Sequence, residues 1–343
     1  MKKSRGKQQA PVCHQLMVFL HFVGIQGTGA NNAGQRNVFG ISRGSAQVYR
    51  DRVVAAICSL RDEYVKWPAV EERASIATRI GRDYDFPNCV GIADGTLFPL
   101  GSEPQTDDAP DYHGRKFRYS LSVMIICDDT RRITYYLSGW PGSAHDNRVF
   151  RSTKIANFPN QFMSPLQYII GDSAFENDWF IVSAFKKPAG TNIELGQELF
   201  NEKMASLRII SEHTIGLLKG CFPWLRHIPM IIKDDKKSFR KILNYIDATI
   251  ILHNLLLDFN SDECDEFVED DDVSAVDASD EPAGDNIFHP IQPGAVKDQR
   301  RRDLLNYFIR FNPKFSSRKA QLVPFYWMSH VVLEERHNMC LLL

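Results

Sequence analysis

The stretch NCVGIADGTLFPL, residues 88–100, decides the fold. An unbroken apolar run from Cys89 to Ala93 stops on Asp94-Gly95-Thr96. A run that short, with a turn dipeptide behind it, reads as a buried strand. Working outward, RYSLSVMIICDDTRRITYYLSGW (118–140) holds two more such runs, and Asp128-Asp129-Thr130 between them predicts a hairpin. LQYIIGDSAF (166–175) supplies a fourth strand, separated from the third by a helical stretch, HDNRVFRSTKIANF (145–158). ELFNEKMASLRIISEHTIGLLKGCF (198–222) and SFRKILNYIDATIILHNLLLDF (238–259) then predict two long helices. Three strands, a helix, a fourth strand and further helices make an α/β fold, a mixed sheet flanked by helices.

Ahead of the sheet, residues 14–66 read as helical. HQLMVFLHFVG (14–24) is followed by a Gly-rich break. Gly40 then closes a short helix, and Ser42 or Ser45 caps the next. Val48, Val53, Val54, Ala56, Ile57 and Leu60 form its apolar stripe, with Arg43, Arg50 and Arg52 largely outside it. Short helix, tight turn, second helix is the layout of a helix-turn-helix, and equally of a plain helical hairpin.

The net charge of −1 conceals an asymmetry. Thirteen of the 42 acidic residues lie between Asp258 and Asp285, where there is no Lys or Arg, so the rest of the chain carries 41 basic residues against 29 acidic ones. A basic body suits a polyanionic partner. Residues 258–290, acidic and rich in Ser, Ala, Pro and Gly, read as a disordered linker. Residues 291–343 follow as a C-terminal helical tail, opening on the basic amphipathic pattern QRRRDLLNYFIRF (299–311). Seven scattered cysteines without a C-x-x-C pair exclude a disulfide framework and a zinc knuckle. No apolar run reaches the roughly 18 residues of a membrane span. The basic opening and apolar patch around His14 and His21 lack a small-residue cleavage site, so no secretory signal is expected.

Asp94 and Asp172 each follow an apolar run, at the kind of strand end where ligand and catalytic groups collect. Taken singly, each reads as readily as a turn residue. Glu212 alone reads as the solvated face of a helix, and His253-Asn254 as a core-facing pair. Asp146 suits the N-terminus of a helix for simple dipole reasons.

Together these residues say more. GIADGT (91–96), YHGRKFRYSLSVMIICD (112–128), SGWPGSAHDNRVF (138–150), YIIGDSAF (168–175) and SLRIISEHTIGLLKGCFPWL (206–225), with ILHNLLLD (251–258) behind them, resemble the PIF/Harbinger transposase-derived nuclease family in motif and order. The resemblance covers roughly residues 40–260. It implies a ribonuclease H-like mixed five-stranded sheet at 86–257 behind a helix-turn-helix-like DNA-binding segment at 14–66. It also implies a catalytic triad of Asp94, Asp172 and Glu212, which would hold two Mg²⁺ ions (Mn²⁺ as substitute), with Asp94 bridging. Three oxygen acids suit a hard cation, and paired ions suit phosphodiester cleavage. Asp146 stands as a further metal ligand or as support for one.

Arg43, Arg50, Arg52, Arg115, Lys116 and Lys219 are the expected DNA contacts. Lys219 lies seven positions after Glu212, near two helical turns, and so shares its face. The partners implied are double-stranded DNA at element terminal repeats, a Myb-like protein, and a second copy of the chain, with no membrane. The expected location is the nucleus, or the cytoplasm as well if import depends on that partner. A second expectation is a domesticated DNA-binding protein that has no need to cleave. An RNA-directed nuclease is disfavoured, because a helix-turn-helix suits the DNA major groove.

Overall fold

A five-stranded sheet organises the molecule, in the order β3-β2-β1-β4-β5. Its strands are β1 Cys89–Pro99, β2 Ser120–Cys127, β3 Ile133–Pro141, β4 Tyr168–Gly171 and β5 Ile181–Ser183. The computed structural model describes residues 9–26, 32–114, 117–186, 193–259 and 298–311. β1, β2 and β3 pair antiparallel, while β4 and β5 add on parallel. This is the ribonuclease H-like mixed sheet that was expected. β2 is buried along its whole length, because helices cover both of its faces and a strand so placed must be apolar throughout. The predicted hairpin forms: Asp128 Oδ1 accepts from the Thr130 amide at 2.8 Å, the Thr130 hydroxyl at 2.7 Å and the Arg132 amide at 3.1 Å.

One face of the sheet is covered by α5 (Val70–Tyr84), α9 (Leu195–Cys221) and α11 (Gln299–Phe311). Ile76, Ile80, Phe200, Met204, Leu304 and Phe308 pack there with Ile92 and Ile170. The other face meets α6 (Asp146–Arg151) and the short α7 (Lys154–Asn157) and α8 (Pro159–Phe162). Val149, Phe150 and Ile155 pack there on Ala93, Met124, Ile126 and Ile169.

The N-terminal segment forms α1 (Val12–Val23), α2 (Asn32–Phe39), α3 (Arg43–Cys58) and a single turn, α4 (Arg61–Tyr64). Gly40 leaves α2 at φ 61°, a conformation glycine tolerates. Ser42, rather than Ser45, is the cap of α3, accepting from the Ser45 amide at 3.1 Å. α1 and α3 share one core with α10 (Lys236–Phe259): Phe19, Phe22, Val53, Val54 and Ile57 pack with Tyr245, Ile246 and Trp224. The segment is thus continuous with the sheet domain. Its buried period is Ala46, Arg50, Val53 and Ile57. Val48, Ala56 and Leu60, expected in the stripe, are exposed.

α10 is the one described helix long and apolar enough to cross a bilayer, and half of it is buried in this core. Asn254 saturates its amide there, donating to Tyr64 O and Ile133 O at 2.8 and 2.7 Å and accepting from the Ile133 amide at 2.9 Å. His253, pushed down to about 4 by burial, faces the Arg131 carbonyl at 3.0 Å. The pair is structural, as its pattern predicts. α11 belongs to the fold: Arg300 donates to Pro165 O at 2.6 Å and Leu166 O at 2.8 Å, and Arg301 to Ala184 O at 3.1 Å. The acidic linker beyond Phe259 and the apolar chain end lie outside the described residues.

Candidate functional site

Asp94 stands within a strand, since β1 continues to Pro99 and pairs Asp94 with Ile125 of β2. On the other side the parallel strand β4 ends at Gly171. The register Ile92↔Ile170 carries two residues on to Asp94 and Asp172. With a period of two, those side chains leave the same face of neighbouring strands. Asp172 Oδ1 accepts from the Ala174 amide at 2.8 Å, so the turn reading of this residue holds.

α9 crosses that face. Ser211 Oγ lies 3.3 Å from Asp94 Oδ2 and 2.8 Å from the Arg208 carbonyl oxygen. Glu212, the next residue, is 42% exposed and lies 3.7 Å from the Arg208 guanidinium. Asp146 approaches from the opposite side, at the first turn of α6. A Cβ at Gly95 would fall 2.2 Å from its Oδ1. Glycine follows Asp94 because the Asp146 carboxylate fills the place of a side chain.

Burial raises the Asp94 carboxyl to about 7. The Arg208 guanidinium opposes the rise, the charges of Asp172 and Asp146 add to it, and the Gly95 amide, 2.8 Å from Oδ1, opposes it. A half-buried acid crowded by two others favours a nearby cation. Among the described residues, no three acid, histidine or cysteine side chains are yet gathered as a ready-made shell.

Residues 93–254 match the DDE superfamily endonuclease family. The chain carries a DDE superfamily endonuclease domain. This domain opens one residue before Asp94 and closes on Asn254, spanning all four acids. Over 261 residues the chain is 23% identical to "Putative nuclease HARBI1" of Mus musculus, covering 76% of this chain and 72% of that protein. The Homo sapiens protein of the same name is 23% identical over 263 residues, with the same coverage. "Protein ALP1-like" of Arabidopsis thaliana is 20% identical over 254 residues, covering 70% of this chain and 60% of the relative. No solved structure matches the chain.

Within the endonuclease domain, Asp94 and Asp172 are brought side by side. Glu212 meets Arg208, whose charge acts on Asp94, and Asp146 acts on Asp94 from the far face of β1. Lys219 is half-buried on α9. Arg43 and Arg52 lie exposed on α3, whereas Arg115 and Lys116 fall outside the described residues. Arg50 is a correction. It is 2% exposed, donates to Gln35 Oε1 and, at 3.0 Å, to Gln47 Oε1, and lies 4.2 Å from the Phe22 ring centroid, so it has no face for a phosphate. Arg208 and Ser211 were not singled out from the sequence. The available signal was an Arg four residues before Glu212, the spacing of a helical ion pair.

Proposed function

We propose that this chain is a metal-dependent DNA endonuclease of the transposase kind, with Asp94, Asp172 and Glu212 as its metal-holding acids. The observation that carries this reading is the juxtaposition of Asp94 and Asp172 on one sheet face, with Asp94 half-buried among like charges. The donor set fits a hard divalent cation such as Mg²⁺ or Mn²⁺: carboxylate oxygens, one of them deep and under-neutralised. When bound in a pair, such ions activate an attacking oxygen and stabilise the leaving one in phosphodiester cleavage.

The chain's own part is to hold and aim. Asp94, fixed on the central strand by β2 and β4, is the acid best placed to be shared. The turn after β4 orients Asp172 through the Ala174 amide. Glu212, on a helix crossing the same face, completes the set. Asp146, packed against Gly95, supports the strand from behind. Double-stranded DNA at element ends is the proposed substrate, with Arg43 and Arg52 on the exposed face of α3 and Lys219 near Glu212 as phosphate contacts. A nuclear location, a Myb-like partner and a homo-oligomer belong to the same reading.

A DNA-binding protein freed from cleavage is the second reading, favoured by the absence of a gathered three-acid shell among the described residues. Incubation with plasmid DNA, with Mg²⁺ or Mn²⁺ and then with EDTA, separates the two. Metal-dependent nicking that Asp172→Ala loses supports the nuclease. Binding without nicking, even with terminal repeats and a Myb-like protein supplied, supports the second reading.

A further inference from the structure

The acids of the proposed site already have a positive charge of their own. Arg208 sits on α9 one turn before Glu212, 3.7 Å from its carboxylate, and its charge also acts on Asp94. The turn it heads lies directly against that acid, because Ser211 Oγ contacts both the Arg208 carbonyl and Asp94. The guanidinium is poorly satisfied where it lies. Its Nε is buried and has no hydrogen-bond partner, a costly state for a charged donor. The contact to Glu212 is also longer than a good charge-assisted hydrogen bond.

A divalent cation and this guanidinium would use the same carboxylates. Arginine cannot step aside by losing its proton, because it stays protonated in proteins. It can only move. Its long stem and partial exposure, 22% of the side chain, give it a route towards solvent.

We propose that Arg208 is the internal counter-cation of the metal-free site, and that a divalent ion enters only as Arg208 leaves Glu212 and Asp94. The inference rests on the reading of these acids as metal ligands. It explains why Glu212 pairs with Arg208, and why three acids are not already gathered among the described residues. It also gives a magnitude. If the state with arginine inside outweighs the open one about ten to one, apparent metal affinity is about tenfold weaker than intrinsic affinity.

Mn²⁺ titration of the full chain, read by the electron paramagnetic resonance signal of the free ion, tests this without any cleavage assay. Arg208→Gln and Arg208→Met both remove the charge and keep most of the stem. Each is expected to bind Mn²⁺ about tenfold more tightly than the unaltered protein, while Asp94→Asn binds it much more weakly. Equal or weaker binding by folded Arg208 variants, with binding still lost in Asp94→Asn, would overturn the counter-cation and leave the acid site standing. No binding by any form, Asp94→Asn indistinguishable from the rest, would remove the acid site and this inference with it. If both Arg208 variants lose their circular dichroism transition, the arginine serves the core and the inference is likewise overturned.

Discussion

The N-terminal helices and the sheet each withdraw a charge from water, Arg50 fully and Asp94 in part, and they treat it in opposite ways. Arg50 lies inside the helical segment with Gln35 and Gln47 accepting from it and the Phe22 ring beneath it. Asp94 lies within the sheet with one amide at 2.8 Å, a serine hydroxyl at 3.3 Å, two like charges nearby and the Arg208 charge opposing them. Burial acts against both charged forms. The arginine meets two amide oxygens and a ring, whereas the carboxylate meets other carboxylates. A closely partnered buried charge serves the fold, and an under-partnered one is held ready for something that arrives later.

That contrast is open to direct attack. The largest expected effect is at the acids: Asp172→Ala or Asp94→Asn should lower metal-dependent nicking by about a thousandfold or more, measured on supercoiled plasmid. Retained nicking in either variant would mean the crowding at Asp94 serves no chemistry.

The next effect is on stability and has a definite sign. The Asp94 carboxyl has a folded pKa of about 7 against an ordinary 3.8. The native state therefore binds a proton that the unfolded chain has released, and stability falls as pH rises from about 4 to about 7. In EDTA, denaturant melts at pH 5 and pH 8 should show this fall. Asp94→Asn should flatten it, with a gain on the order of 2–4 kcal/mol at pH 8. A variant whose pH dependence matches the unaltered protein would show that Asp94 is not under-partnered.

Arg50→Ala tests the opposite pole. It takes the Arg50 donor away from Gln35 Oε1, while Gln35 Nε2 keeps the Val18 carbonyl at 2.6 Å, and should cost about 2 kcal/mol in urea melts, with nicking per folded molecule unchanged. The smallest effect is expected at Arg52. Its replacement by Ala should weaken duplex binding and reduce the slope of log affinity against log salt by about one, at unchanged stability. An unchanged salt slope would take α3 out of the proposed DNA interface.

Much of the sheet was legible because β2 is covered on both sides, so its sequence is apolar without alternation. β5 was legible only by resemblance. Three residues, Ile181–Ser183, carry no period of their own and become a strand only by pairing with β4. The acids Asp94 and Asp172 were legible as candidates, but the place of Asp94 was not. Asp-Gly carries a strong turn signal, and here it is overridden by pairing with Ile125 and Met124 of β2, the glycine being there to leave room for Asp146. Arg50 was misread because its charge outweighed its position, although it sits on the period Ala46, Arg50, Val53, Ile57. Arg208 escaped notice for the converse reason. A helical Arg–Glu pair looks like ordinary surface until a sheet is known to run beneath it.

The arginine pair at the start of α11 has a bearing on timing. Arg300 ties down the loop before β4, and Arg301 ties down the chain just past β5. β5 is the last strand of the sheet, and an uncovered outer strand invites pairing with other chains. A ribosome that has delivered everything through α10 has made every acid of the proposed site, yet the helix that covers this border is still unmade. Synthesis therefore finishes the border last, and a nascent chain is most exposed to wrong partners in the interval before Phe308 can dock.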